Sequence, residues 1–310
     1  MAIRNINWND PLMKAIKAFN SIGGHSLTKE DLKKQRAAME RAGRLAAPAA
    51  DVTIEEFKAG KIPCEWIRPN LAHNPQYVIL YAHGGGYTCG GLKYARILAA
   101  KLALATGFSV VSFQYRLAPE YKYPSQIEDG LRVWDYLLNK GFGASNILVA
   151  GDSAGGNLVL AMTQKLLAEQ KVSPKCLLLF SPWTDLTATA KSYQTYKDKD
   201  PILTKEYVES VREAFIGDAD AADPKYSPLF GSFEGFPPTL IQVGKTEILQ
   251  EDSAQLAKAI TKAGGEATLD IEKDGWHVYQ QMPLPMAGRA MKRLSDYVTK
   301  VIYYEQRELV

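Results

Sequence analysis

Cysteine is scarce in this chain: Cys64, Cys89 and Cys176 are the only three among 310 residues, and no two form a C-x-x-C pair. An odd count without paired spacing excludes a disulfide framework and fits reduced intracellular thiols packed as small hydrophobes. A charge excess is also missing. With 37 Lys and Arg against 34 Asp and Glu, the net charge of +3 is too small and too dispersed for nucleic-acid binding, which needs a basic stripe. No apolar run approaches the ~20 residues that cross a bilayer, so no stable membrane insertion is expected. The opening residues MAIRNINWND lack the basic-then-apolar order of a signal peptide, and the expected location is cytoplasmic. Internal repeats and low-complexity tracts are absent as well.

What is present reads as an ordinary globular α/β chain. The composition is 46% hydrophobic and 23% charged, and 310 residues suit one domain around a single core. Apolar, β-rich runs recur at Cys64–Arg68, Tyr77–Ala82, Ser109–Tyr115, Ile147–Ala150, Cys176–Phe180, Thr239–Val243 and Ala267–Glu272. Helical spacing fills the intervals at Leu92–Thr106, Gln126–Asn139, Ala154–Glu169, Asp252–Ala263 and Met286–Tyr303. This alternation predicts a mostly parallel sheet flanked by helices, and near-continuous apolar runs such as YVILYA and CLLLF suit strands buried on both faces. Gly107, Gly141 and Gly264 fall where helix C-caps are wanted. Two stretches break the rhythm. Residues 1–50 read as helices, with cap-type residues at Ser26–Glu30, and residues 185–235 carry one helical segment near Tyr207–Phe215. Both are expected to form a helical cap over the sheet edge where such folds bind ligands; the duller alternative is a terminal arm and a surface excursion.

The strand ending at Ala150 runs into Gly151-Asp152-Ser153-Ala154-Gly155-Gly156, and a helical stretch follows at once. This is G-x-S-x-G in strand–turn–helix context, the setting of a nucleophilic serine. The turn must be tight enough to hold the serine up at the strand end, so its neighbours must be small. The helix behind it aims N–H groups at developing negative charge.

A second glycine run, His83-Gly84-Gly85-Gly86-Tyr87, follows the strand at Tyr77–Ala82. Successive glycines there present N–H donors at close range. Nucleotide binding is excluded: there is no G-x-x-x-x-G-K-[ST], and Cys89 stands where G-x-G-x-x-G needs glycine. The backbone N–H groups of Gly85, Gly86 and Ala154 are therefore the expected oxyanion hole, with Gly86→Pro as the change that deletes one donor.

Histidine is nearly as rare as cysteine: His25, His73, His83 and His277 are the whole set, and His277 alone follows Ser153. In the chain order Ser, acid, His, that makes His277 the expected general base, while His83 holds the glycine loop in shape. The acid should follow the strand Thr239–Val243. Glu247 stands in the turn directly after it and is the favoured choice, with Asp252 second; Glu251 and Asp252 both look like charge at a helix N-terminus.

His83-Gly84-Gly85-Gly86, Tyr115-Arg116-Leu117-Ala118-Pro119-Glu120, Gly151-Asp152-Ser153-Ala154-Gly155-Gly156, Ser181-Pro182-Trp183 and Glu247-Ile248-Leu249 together resemble the hormone-sensitive-lipase-like carboxylesterases of the α/β-hydrolase superfamily. The likeness runs in order from about residue 62 to the C-terminus. It implies a capped α/β-hydrolase, often a homodimer, that cleaves short-acyl esters of small alcohols without a cofactor or metal. It also implies supporting roles for Arg116 and Glu120, and substrate contacts at Tyr87, Tyr94 and Trp183. Glu247 departs from the commoner Asp of the family. The same machinery can open lactones or deacetylate small metabolites. A ligand receptor on a hydrolase scaffold, as in the plant gibberellin receptors, would have lost the histidine that His277 supplies.

Overall fold

Val78–Ala82 is buried at every position and forms a central strand of an eight-stranded sheet, as its unbroken apolar run requires. The computed structural model describes residues 26–45, 51–170 and 172–304. In chain order the strands are β1 (Val52–Ala59), β2 (Ile62–Pro69), β3 (Val78–Ala82), β4 (Ser109–Phe113), β5 (Ile147–Asp152), β6 (Leu177–Phe180), β7 (Thr239–Gly244) and β8 (Ala267–Glu272). Their spatial order is β1-β2-β4-β3-β5-β6-β7-β8. β1 and β2 pair antiparallel, β2 meets β4 antiparallel, and every later neighbour is parallel.

The helices are α1 (Lys29–Leu45), α2 (Leu92–Thr106), α3 (Ser125–Asn139), α4 (Ala154–Gln170), the single turn α5 (Ser192–Thr195), α6 (Lys205–Ile216), α7 (Gln250–Lys262) and α8 (Pro285–Thr299). All seven expected strands are present, and the five expected helices between them match to within a few residues. The final helix stops at Thr299 and passes into a wider turn over Lys300–Tyr304. On α8, Met286, Ala290, Leu294 and Val298 are buried, a four-residue repeat that turns one stripe to the core. Gly107 ends α2 at φ +73 with its N–H on Ala103 O.

Strand β1 is the strand not expected. Its sequence VTIEEFKA places two glutamates side by side, and the strand is largely exposed, so apolar alternation is weak. Of residues 1–50, α1 is helical as expected. Thr28 starts it with a reciprocal cap: its Oγ1 accepts the Asp31 N–H at 3.1 Å, and its own N–H donates to Asp31 Oδ2 at 3.0 Å. The remainder of the helical reading there, over 1–25 and 46–50, lies outside the described residues. Among the described residues, no helix is long and apolar enough to cross a membrane.

The sheet register decides where the chemistry-bearing loops meet. Ala82 pairs with Gly151, so the chain leaving β3 and the chain leaving β5 emerge side by side. Gly244 pairs with Glu272, so the loops after β7 and β8 do the same. All four leave the C-terminal ends of parallel strands, the edge at which open α/β sheets bind ligands.

Candidate active site

Ser153 sits at φ +53, a left-handed backbone that is costly for a residue with a side chain. Its conformation is held from both sides: its N–H donates to Phe180 O at 2.9 Å, and its carbonyl accepts from Trp183 N at 3.0 Å and Asn157 N at 3.2 Å. The small residues around it are needed for contact. A Cβ on Gly155 would run into the carbonyl oxygens of Ala82 and His83, so only glycine lets α4 start this close to β3.

The glycine loop is braced by a buried set of polar groups. His83 stacks on Tyr115 with ring centroids 4.3 Å apart, its Nδ1 donates to Gly84 O at 2.7 Å, and burial lowers its pKa to about 4. Tyr115 in turn donates to His83 O at 2.8 Å. His83 thus holds the loop as a neutral ring, as expected. Asp152, beside the serine, accepts from Tyr81 Oη at 2.5 Å and from Gly84 N at 2.9 Å, which ties the serine turn to the glycine loop. Burial pushes the Asp152 carboxyl up to about 6, opposed by those two donors and by the nearby His277 ring. Among the described residues, no hydrogen bond uses the N–H of Gly85, Gly86 or Ala154. Gly86, however, has φ +60, and a Cβ there would stand 3.0 Å from Val211. Proline requires φ near −65°, so Gly86→Pro would wreck the loop on steric grounds and does not isolate the lost donor.

His277 and Glu247 come together from adjacent loops. Nδ1 of His277 lies 3.5 Å from Glu247 Oε1, long for a hydrogen bond, and both residues are nearly inaccessible to solvent. The other oxygen of Glu247 accepts from Gly244 N at 2.9 Å and from Ser181 Oγ at 2.8 Å. Thr246 donates through its hydroxyl to Gly275 O at 3.0 Å, drawing the two loops together.

Asp252 is not at the base. Its Oδ2 accepts from the backbone of Thr184 at 3.4 Å and Asp185 at 3.3 Å, and burial, with Asp185 close by, holds its carboxyl well above the usual carboxylate range. Asp252 stands in the first turn of α7, as expected of helix-terminal charge, but it is buried and also holds the chain after β6. Of the supporting residues, Arg116 binds Asp129 with Nε 2.9 Å from Oδ2, and Glu120 is gripped by Arg36 of α1 at 2.7 and 2.8 Å.

Ser153, His277, Gly85 and Gly86 line one apolar cavity of about 50 Å³. Its cover comes from the two stretches that break the βα rhythm: Met39 of α1, Ile202 and Leu203, and Tyr207, Val208 and Val211 of α6. Tyr94 and Trp183, two of the three residues for which the resemblance implies substrate contacts, also line it. Tyr87 does not. Its hydroxyl donates to Asn157 at 2.7 Å and its ring stacks on Phe215 at 4.0 Å, so it packs α6 onto the core instead of facing the cavity.

Several residues at the site were not singled out from the sequence. Ser181 gave no local signal for its bond to Glu247, although Ser181-Pro182-Trp183 belongs to the family pattern. Gln281 lines the cavity, accepts from Tyr94 Oη at 2.9 Å and donates to Asp152 Oδ2 at 3.4 Å. Asp200 ends the charged string Lys197-Asp198-Lys199-Asp200 yet is the one buried member of it. Burial pushes its carboxyl up to about 6, with the nearby His277 ring acting in the opposite sense and Glu247 adding to the rise.

A family model described as alpha/beta hydrolase fold matches residues 79–281. The chain is 31% identical over 288 residues to an acetyl-hydrolase of Streptomyces hygroscopicus, covering 91% of this chain and 94% of the relative. It is 33% identical over 269 residues to an esterase of Acinetobacter venetianus, covering 86% and 88%. A crystal structure of an esterase from the bacterial hormone-sensitive lipase family superposes with a TM-score of 0.86 at 32% identity, over 94% of this chain and 98% of that one. The fold, the loops at its sheet edge and these likenesses agree: the chain belongs to the hormone-sensitive-lipase-like carboxylic ester hydrolases of the α/β-hydrolase superfamily.

Proposed function

We propose that the protein is a serine carboxylesterase for short-acyl esters of small alcohols, with Ser153 as nucleophile, His277 as general base and Glu247 as orienting acid. The observation that carries this reading is one cavity: Ser153 enters it at φ +53, and His277 faces it with Nδ1 turned to Glu247. Ser153 Oγ attacks the ester carbonyl as His277 Nε2 takes its proton, and the N–H groups of Gly85, Gly86 and Ala154 receive the negative oxygen. His277 then protonates the departing alkoxide and deprotonates the water that releases the acid. As the ring becomes positive, its bond to Glu247 strengthens, and the 3.5 Å separation shortens.

Short acyl groups are favoured by the size and closure of the cavity. About 50 Å³ walled by Met39, Ile202, Leu203 and Val211 suits a small acyl chain, and the acetyl-hydrolase relative fits that preference. These walls are our reason for treating α1 and the 185–235 excursion as a cap. Three buried free thiols suit a reducing, cytoplasmic setting.

The test is labelling by a fluorophosphonate together with hydrolysis of p-nitrophenyl esters from acetyl to dodecanoyl, with lactones and anilides in the same panel. Wild type is labelled and turns over acetyl and butyryl esters fastest, and Ser153→Ala loses both signals. Labelling that persists in Ser153→Ala, or a rate that peaks at dodecanoyl, overturns the assignment.

A further inference from the structure

Asp200 joins two parts of the site that are far apart in sequence. Its Oδ1 accepts the N–H groups of Ile202 at 2.9 Å and Leu203 at 3.0 Å, which shapes the turn whose side chains wall the cavity. Its Oδ2 accepts the N–H of Ile248 at 3.0 Å, the residue directly after Glu247. The carbonyl of Ile248 is held by the same excursion, receiving Ser192 Oγ at 2.5 Å. Leu249, next along, lines the cavity beside Ile202 and Leu203. A side chain that only ordered a surface turn would spend its oxygens locally and lie exposed, as an Asx turn does. Here one oxygen is spent on another element, and the residue is buried.

We propose that Asp200 is a positioning and specificity-determining residue: its two oxygens lock the acyl-pocket wall at Ile202 and Leu203 to the loop that carries Glu247. The inference rests on the triad and acyl pocket proposed above. Three N–H donors converge on this side chain, and only a carboxylate offers two acceptor oxygens to share among them; an amide offers one. Removing the carboxylate leaves buried donors unmatched on both sides, so the wall and the acid loop loosen together. A looser wall admits longer acyl chains, and a displaced Glu247 slows turnover.

The experiment uses full-length Asp200→Ala and Asp200→Ser, with kcat and KM measured on p-nitrophenyl acetate and octanoate, and thermal unfolding measured alongside. For Asp200→Ala the octanoate-to-acetate ratio of kcat/KM rises roughly tenfold and kcat on acetate falls roughly tenfold, in line with the loss of a hydrogen bond to a charged group. The serine hydroxyl of Asp200→Ser can still accept from the turn but is too short to reach Ile248. That variant loses kcat on both esters and keeps the wild-type ratio. A change in melting temperature with kcat and the acyl ratio unmoved in either folded variant overturns the proposal and leaves only a structural carboxylate. If Asp200→Ala fails to fold, Asp200→Ser decides alone, and wild-type kcat in it overturns the coupling. A wild-type protein that cleaves neither ester overturns the triad reading and this inference together, whereas an active wild type with indifferent variants overturns the inference alone.

Discussion

Ser181 donates its hydroxyl to Glu247 Oε2 across 2.8 Å, and Ser181 Oγ accepts the N–H of Val278 at 3.0 Å. One small side chain on the loop after β6 therefore spans the loops of the proposed acid and the proposed base. Ser181→Ala strips a donor from a buried carboxylate and an acceptor from a buried N–H, each worth ~1–3 kcal/mol. The expected outcome is a fall in kcat of roughly 10–100-fold with KM within about twofold of wild type, read by steady-state kinetics on an acetyl ester. Unchanged kcat would mean that Glu247 is held well enough without it.

Glu247 and Asp252 are separated by a pair of isosteric changes. Glu247→Gln breaks the proposed hold on the imidazole and drops turnover by up to ~10⁴, the scale of the corresponding change in a serine protease. Asp252 is buried in a setting that favours its neutral form, so Asp252→Asn imitates it and keeps most of the activity. The reverse pattern in kcat would move the acid to Asp252.

Arg36 pins α1 to the sheet edge. Its guanidinium donates to Thr88 O at 2.9 Å and Ala118 O at 3.0 Å and forks onto the Glu120 carboxylate. Met39, one turn further on, closes the cavity. Arg36→Ala should raise KM for short esters several-fold, and Arg36→Lys should not restore it, because an ammonium cannot reproduce the planar fork. Equal KM values in all three proteins would detach α1 from substrate binding.

Stability carries a pH signature at Asp200, whose facing titratable groups are His277 and Glu247. Its folded pKa of about 6 lies above that of an unfolded Asp, so the folded chain binds more protons between ~4 and about 6. Its contribution is therefore fully present at low pH and lost as pH rises through about 6. Asp200→Asn has no such proton to bind. Wild type should gain on that variant by something on the order of 2 kcal/mol between pH ~7 and pH ~4, measured by denaturant unfolding. A difference that stays level across that range contradicts the buried, raised carboxyl. His83 acts in the opposite direction. It stays neutral in the fold while an unfolded His takes a proton, so its contribution is lost as pH falls from ~6.5 to about 4, in wild type and variant alike.

The serine and the histidine were legible in the sequence because their signals are local or exclusive. A strand, a run of small residues and a helix surround Ser153, and His277 has no rival downstream. Glu247 was legible as the first acid past a buried strand. Ser181 was not, because its partner lies 66 residues away and only the sheet order brings them together. Asp200 sits in a string of charges that looks solvated, and nothing short of the docked excursion tells that its side chain turns inward. Strand β1 escaped for a different reason: an edge strand open to water has little need for apolar alternation. Tyr87 shows the converse ambiguity, since an aromatic next to a glycine loop suits both substrate stacking and core packing until α6 is seen against it.

The pairing of Ala82 with Gly151 sets the proposed reactive centre apart from the walls proposed to choose what reacts. The glycine loop and the turn bearing Ser153 are fixed to one another by neighbouring strands and by Asp152. The walls at Met39, Ile202, Leu203 and Val211 are carried by those other segments. Under the proposed function, substitutions in these walls redraw the range of acceptable esters, and the ties that cross between the two layers, Arg36 and Asp200 among them, are where a change in one is felt by the other.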